Sequence, residues 1–102
     1  MSRYTIRIEL SGEADEVAYE LLEKQMRLMN FTTTITDGFG QNYRLPPGEY
    51  NLEANNEDVD LVLNRAKKAA LSVKQEMGLS KDASILVTES AHREWVNLDS
   101  VG

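Results

Sequence analysis

The spacing of apolar residues switches between two periods along the chain, and this switching is the strongest constraint on the fold. In residues 4–10 apolar and polar side chains alternate, which is typical of a strand buried on one face. In residues 14–29 the apolar side chains recur every three or four positions, as in an amphipathic helix, and Ser11 is a candidate cap. Alternation returns in residues 31–36, where four threonines favour a strand.

A hairpin is expected next. Residues 37–42 are rich in Gly and Asn, which predicts a turn between two strands. Residues 43–47 form either an edge segment or a loop, because Pro46 and Pro47 have no N–H to donate to a ladder. Residues 49–54 alternate again and complete the hairpin as a strand.

The second half of the chain repeats the change from helix to strand. Capping and acidic residues at 55–58 precede an apolar stripe over residues 59–77, and Gly78 follows where a left-handed helix end is expected. Residues 84–88 form the last predicted strand. The remaining tail has weak periodicity, with a short helix expected around residues 92–98 and Trp95 as its anchor.

This order of elements predicts an α+β fold, the ferredoxin-like βαββαβ sandwich. Two crossovers with a hairpin between them place four antiparallel strands in one sheet and both helices on one of its faces. Residues 1–88 are expected to form this domain, and residues 89–102 a C-terminal tail.

Composition excludes several classes of site. The chain has no cysteine, so it holds no disulfide, thiolate zinc site or cysteine nucleophile. One histidine and no calcium-loop spacing give no reason to expect a metal or another cofactor. The net charge of −6 counts against general nucleic-acid binding, although a local basic patch remains compatible with it.

The location follows from hydropathy. The first residues read as a strand and not as the apolar core of a signal peptide. No apolar run approaches the roughly 20 residues that cross a bilayer. A cytoplasmic protein without a membrane partner is therefore expected.

Individual polar residues give weaker functional signals, because each can also be explained as an ordinary solvent-exposed residue. His92, the lone histidine, is a candidate general base because imidazole titrates near neutrality, but a histidine in such a tail is more often a solvated residue. Lys67, Lys74 and Lys81 form a candidate basic stripe for phosphate, or a solvated helix face. The predicted open sheet face has no aromatic side chains for stacking bases, which argues against a known mode of RNA binding.

A stretch in the middle of the chain resembles a known family. The spacing Met26-x-x-Met29-Asn30-Phe31, followed by Asp37-x-Phe39-Gly40 and Leu45, is similar to that of the GhoS family of small antitoxins. Tyr4 at the start of the first strand and the order of elements through about residue 88 fit as well. Where the family member has arginines on the first helix, this chain has Leu21 and Glu23, and Arg44 is displaced by one position from its hairpin arginine.

The resemblance implies a ferredoxin-like endoribonuclease that cuts the messenger RNA of a membrane-active toxin. Single-stranded RNA would then be the partner. Glu9 would occupy the position of the acid near the end of the first strand, and Glu9 or His92 would move a proton. The residues expected to contact phosphate are Arg7, Arg27, Arg44 and Lys67. The main alternative is a non-catalytic module that binds a protein or forms a homodimer through a sheet edge or its threonine-rich face, and a weaker third one is binding of a small ligand between the sheet and the helices.

Overall fold

The described part of the chain contains two helices and six strands. The computed structural model describes residues 2–54, 57–89, 96 and 98–101. In chain order the elements are β1 (Ser2–Glu9), α1 (Glu16–Leu28), β2 (Thr34–Thr36), β3 (Asn42–Arg44), β4 (Glu49–Ala54), α2 (Val59–Met77), β5 (Ser84–Glu89) and β6 (Ser100–Val101).

The strands form two small antiparallel sheets, so the expected α+β class is confirmed but a single four-stranded sheet is not. One sheet has the order β4-β1-β5, and the other has the order β2-β3-β6. An isolated bridge connects them, in which Thr32 and Asn51 exchange backbone hydrogen bonds of 2.8 Å in both directions. The strand expected over residues 31–36 is therefore shared between β4 and β3.

The division of the sheet follows from the prolines in the returning arm of the hairpin. Thr34 faces Arg44 in the ladder between β2 and β3, so an uninterrupted hairpin would place Thr32 opposite Pro46. Pro46 has no N–H to donate. Thr32 instead faces Asn51, and residues 45–48 make an excursion between β3 and β4. Of the segment predicted as an edge or a loop, the part as far as Arg44 belongs to β3, which lies between β2 and β6 and is therefore not an edge strand, and the part beyond it is a loop.

The core lies between the sheet β4-β1-β5 and the two helices. The alternating residues of β1 and its extension are buried, and α1 packs against α2. Fourteen buried residues form one cluster: Tyr4, Ile6, Ile8, Leu10, Ala18, Leu22, Met26, Phe31, Tyr50, Leu52, Val62, Ala66, Ala69 and Val73. The opposite face of this sheet is the one that was predicted to be open to solvent, and one of its residues, Asn51, is buried. Asn51 is only 8% exposed, because the second sheet adjoins β4 at this residue.

Local hydrogen bonds determine where α1 begins and ends. Its N-cap is Asp15, whose carboxylate accepts from the Ala18 N–H at 3.0 Å, and not Ser11. At its C-terminus the Asn30 N–H donates to the Arg27 carbonyl and the Phe31 N–H to the Met26 carbonyl, with Asn30 at φ 70°. This pattern is a Schellman motif, in which a left-handed residue ends the helix and an apolar contact follows. The Met26-to-Phe31 spacing is therefore a helix stop.

Hydrogen bonds to the Asp37 side chain determine the hairpin turn. The Asp37 carboxylate accepts from the N–H groups of Phe39 and Gln41, both at 2.9 Å, and the Gly40 N–H donates to the Asp37 carbonyl. The hydrogen bond from the Gln41 N–H is the main cause that lowers the pKa of Asp37. Gly40 has a φ of 83°, a conformation that glycine adopts most easily. The Asp37-x-Phe39-Gly40 spacing is therefore a turn signal.

The described part of the tail pairs with the hairpin. β6 lies beside β3, and the Arg44 N–H donates to the Asp99 carbonyl at 2.9 Å. Of the helix expected around residues 92–98, only residues 96 and 98 are described, so His92 and Trp95 lie outside the described residues. Neither α1 nor α2 is long and apolar enough to span a membrane.

Candidate functional site

A groove of about 630 Å³ runs between α2 and β5. We call it the α2–β5 groove. Its apolar lining consists of Leu61, Ala70, Leu71, Ala83 and Ile85. Its polar lining consists of Asn64, Arg65, Lys67, Lys68, Lys74 and Asp82. The groove thus has an apolar floor and a mainly basic rim.

The sequence of α2 explains the floor. The helix buries one stripe against the sheet, including Val62, Ala66 and Val73. Ala70 lies at the border of that stripe, and its small side chain leaves space between the helix and β5. Leu61 and Leu71 lie outside the stripe and are 53% and 48% exposed, so they line the groove without being covered.

The other wall is an edge strand. β5 pairs with β1 along one edge, and none of the strands that the structure describes pairs with its other edge. Ile85 and Val87 face the core and are half-buried, whereas Leu86 lies on the opposite face and is exposed. Because alternate N–H and C=O groups of an edge strand have no partner strand, this edge is a template for adding another strand.

The charges of the rim divide into paired and available groups. Lys74 donates to Asp82 at 2.8 Å, and this hydrogen bond is the main cause that lowers the pKa of the Asp82 carboxyl. Lys67 and Lys68 are exposed and lie in no ion pair with another described residue, although the charge of Lys67 also contributes to lowering the pKa of Asp82. A positive rim is thus available on a chain whose net charge is −6.

The loop between α2 and β5 is held by Glu13, which lies in the segment between β1 and α1. The Glu13 carboxylate accepts from the Ser80 N–H at 2.9 Å and from the Ser80 hydroxyl at 2.5 Å. The hydrogen bond from the Ser80 hydroxyl is the main cause that lowers the pKa of Glu13. This contact fixes the connection between α2 and β5, and with it one end of the groove.

The lining of the groove determines which interactions it offers. The described lining includes one carboxylate, Asp82, whose pKa is lowered mainly by its hydrogen bond with Lys74. Across the described ranges there is no group of three or more His, Asp or Glu side chains that could hold a metal ion. A polypeptide can be recognised by such features: a strand edge offers backbone hydrogen bonds, an apolar floor accepts apolar side chains, and the two lysines attract a negative charge.

The residues expected to act on RNA lie in several places. Arg7 and Glu9 are exposed on the open face of β1 and line one shallow cavity with Ser11 and Gly12. Neither makes an ion pair with another described residue. Arg7 faces Glu49 in β4 and Leu86 in β5 through the strand register.

The remaining cations are distributed over other surfaces. Arg27 is exposed on the last turn of α1 and pairs with Glu23 at 2.8 Å. Arg44, on β3, lines a cavity whose other charged residues are acidic: Glu16, Glu20, Glu23 and Glu49. Lys67 lies in the α2–β5 groove, and His92 is outside the described residues. Of the candidate residues that the structure describes, Arg7 and Glu9 line a common cavity.

Two features of the groove escaped prediction from sequence. The available signal for its floor was the placement of Leu61 and Leu71 outside the core stripe of α2, on a helix face that otherwise carries charge. Arg65 also belongs to the lining, but its guanidinium donates to Glu57 and to the Met29 carbonyl and lies over the Phe31 ring. No local pattern predicts these partners, which lie at or beyond the ends of other elements.

Comparison of the chain with models of known families, with curated proteins and with solved structures finds no match. The function is therefore argued from the groove and the exposed residues themselves.

Proposed function

We propose that this protein is a non-catalytic binding module whose α2–β5 groove accepts an extended polypeptide segment. The observation that carries the proposal is the edge of β5 that pairs with no described strand, beside the apolar floor formed by Ala70, Leu71, Ala83 and Ile85. A segment added to this edge would satisfy the unpaired backbone groups of β5. Its residues on the α2 side would cover the half-exposed leucines.

The same proposal includes the finer description of the fold as a ferredoxin-like sandwich. The strand order β4-β1-β5, extended beyond β4 by the Thr32–Asn51 bridge, follows the order of that fold with a very short outer strand. Packing of α1 against α2 supports it as well. In this description β5 is the outer strand opposite the hairpin, which leaves its edge accessible to a partner.

A six-residue peptide tests the proposal, matching the six residues of β5. It carries threonine at every second position and valine, glutamine and valine between them. Two further versions are N-methylated, one on each edge of the strand. We expect one methylated version to bind like the parent and the other to bind about tenfold or more weakly, because only one edge donates hydrogen bonds to β5. Isothermal titration with the full chain measures the affinities.

Two substitutions locate the binding. Leu71→Asp places a charge in the floor of the groove and is expected to abolish binding. Leu28→Asp, at a leucine of α1 that is 70% exposed, is the matched control and is expected to leave binding unchanged. Equal affinities of the two methylated versions, or equal effects of the two substitutions, would contradict strand addition at β5.

A second candidate function is a GhoS-like antitoxin that acts as an endoribonuclease on a toxin messenger RNA. It is supported by Arg7 and Glu9, which combine a free cation and a free carboxylate on one exposed face of β1. A carboxylate can accept the proton of an attacking 2′-hydroxyl, and a cation can stabilise the charge that develops on phosphate. Arg27, Arg44 and Lys67 are the further candidate phosphate contacts, with His92 as an alternative proton carrier.

The test of the second candidate is cleavage of unstructured single-stranded RNAs by the purified chain, with and without magnesium. A Glu9→Ala, His92→Ala double variant is expected to lose cleavage by about a hundredfold, which is the usual contribution of a general base. An Arg7→Gln variant is expected to bind RNA more weakly. Cleavage that is absent, or unchanged in the double variant, excludes this function.

A further inference from the structure

We infer that the segment bound in the α2–β5 groove is acidic, with a carboxylate flanked by apolar residues on the side that faces α2. This inference rests on the proposed function and adds the chemistry of the partner. Its basis is the separation of charges in the groove. Lys74 is neutralised by Asp82, whereas Lys67 and Lys68 have no ion-pair partner among the described residues.

The position of these lysines selects a carboxylate on the α2 side of the bound strand. Both lie on α2, which covers one face of the sheet, and both line the groove beside Leu71. Side chains of an added strand point alternately to the two faces of the sheet. The α2-facing side chains therefore meet the apolar floor and, at the rim, the two ammonium groups. Lysine stems are long enough to pack on apolar surface while their charges reach a carboxylate.

A second copy of this chain fits the groove less well. Antiparallel pairing of two β5 edges is related by a two-fold axis, so the same surface of each copy meets its equivalent. The two α2 helices would then lie on the same side of the joined sheet, and Lys67 and Lys68 of each copy would approach those of the other. Like charges in that arrangement repel, whereas an acidic strand meets both lysines favourably.

Single-stranded RNA also fits less well. Binding of single strands combines several phosphate contacts with aromatic side chains on which bases stack. None of the described residues that line the α2–β5 groove is aromatic. The apolar floor has no complement in a sugar-phosphate backbone.

The experiment replaces the central glutamine of the six-residue probe by glutamate or by lysine. We expect the glutamate version to bind the full chain about fivefold more tightly than the glutamine version, and the lysine version to bind more weakly than both. The preference for glutamate is expected to shrink as salt is raised, since exposed ion pairs are screened. Fluorescence anisotropy of the labelled probes gives the affinities.

A pair of double variants assigns the preference to its residues. Lys67→Gln with Lys68→Gln is expected to remove the preference for glutamate, so that the glutamate and glutamine probes bind this variant with equal affinity. Arg3→Gln with Lys24→Gln changes the net charge equally at residues remote from the groove and is expected to retain the preference. Loss of the preference in both double variants would mean that net charge alone causes it, and would overturn the inference.

The outcomes separate this inference from the function on which it rests. If the glutamine probe binds and the glutamate probe binds no better, the groove binds polypeptide but is not selective for acid. If no peptide binds, the proposed function itself fails. Tighter binding of an oligouridylate through Lys67 and Lys68 would overturn the inference in favour of RNA. A dimer in sedimentation that dissociates in the Leu71→Asp variant would overturn it in favour of a second copy.

Discussion

A Gly48→Ala variant is expected to lose about 3 kcal/mol or more of unfolding free energy. Gly48 has a φ of 83°, and a side chain in this left-handed region costs about 1 kcal/mol. A Cβ at this position would also lie 2.7 Å from the Ile8 carbonyl oxygen, a contact with backbone that cannot move aside easily. The Ile8 N–H donates to the Gly48 carbonyl at 2.7 Å, so moving the loop away breaks a hydrogen bond of the central strand.

Thermal unfolding followed by circular dichroism measures this effect, and Gly40→Ala is its matched control. Gly40 has the same φ of 83°, but a Cβ there meets nothing within 4 Å. The control variant therefore includes the backbone cost without the close contact. We expect the melting temperature of Gly48→Ala to fall by roughly 15 °C or more, and that of Gly40→Ala by roughly 5 °C. Equal shifts would mean that the approach to Ile8 has no energetic consequence.

An Arg65→Lys variant is expected to lose about 2 kcal/mol, although it keeps the charge. One guanidinium nitrogen donates to both carboxylate oxygens of Glu57, at 2.9 and 2.7 Å, and another donates to the Met29 carbonyl. The guanidinium carbon also lies 5.3 Å from the centroid of the Phe31 ring. A lysine ammonium is a single point charge and cannot make these planar contacts together. The lost hydrogen bonds of a half-buried charged group account for the expected size.

The matched control for this substitution is Arg27→Lys. Arg27 makes one exposed ion pair with Glu23 on its own helix, and such pairs contribute at most a few tenths of a kcal/mol. Chemical denaturation of both variants, with fitted slopes compared to detect changes in the unfolded state, gives the two free energies. If Arg27→Lys and Arg65→Lys are destabilised to the same extent, Arg65 does not hold α1, α2 and Phe31 together.

The elements built from local hydrogen bonds could be predicted from the sequence. The bounds expected for β4 and α2, residues 49–54 and 59–77, are those of the structure. Gly78 is left-handed as expected, with a φ of 67°. The two motifs that resemble the GhoS family are likewise local, one ending α1 and one forming the hairpin turn. Because the geometry of each motif depends on only a few neighbouring residues, the two motifs are evidence about local structure. Nuclease activity has to be tested by experiment.

The pairing of the hairpin was harder to predict. Alternation over residues 31–36 identifies a strand but does not specify its partner, because pairing depends on residues far along the chain. Pro46 and Pro47 gave the warning that the returning arm is interrupted. The structure shows the consequence, which is two three-stranded sheets joined at Thr32 and Asn51. β6 lacked a sequence signal because a strand of two residues has no measurable periodicity.

For the candidate sites as well, the sequence indicates which residues are near one another along one element but not which elements come together. Lys67 was singled out from its spacing on a helix, and it does line the α2–β5 groove. The groove itself depends on the distance between α2 and an edge strand that follows it, and on the small side chains at Ala70 and Ala83. Arg7 and Glu9 share a face because they are two residues apart on β1. Arg27 and Arg44 line other cavities, and this separation depends on the tertiary structure.

By itself the sequence determined the periods, the end of α1, both ends of α2 and the turn, since each depends on side chains that contact their own neighbouring backbone. Only the tertiary structure decided which strand edge stays free and which cations are already paired. It also placed the Ile8 carbonyl against Gly48. These depend on approaches between residues distant in sequence, and no spacing along the chain encodes such distances. For the same reason, Arg65 and Lys67 belong to one basic segment of α2 yet have different roles, one holding the core together and the other lining an open groove.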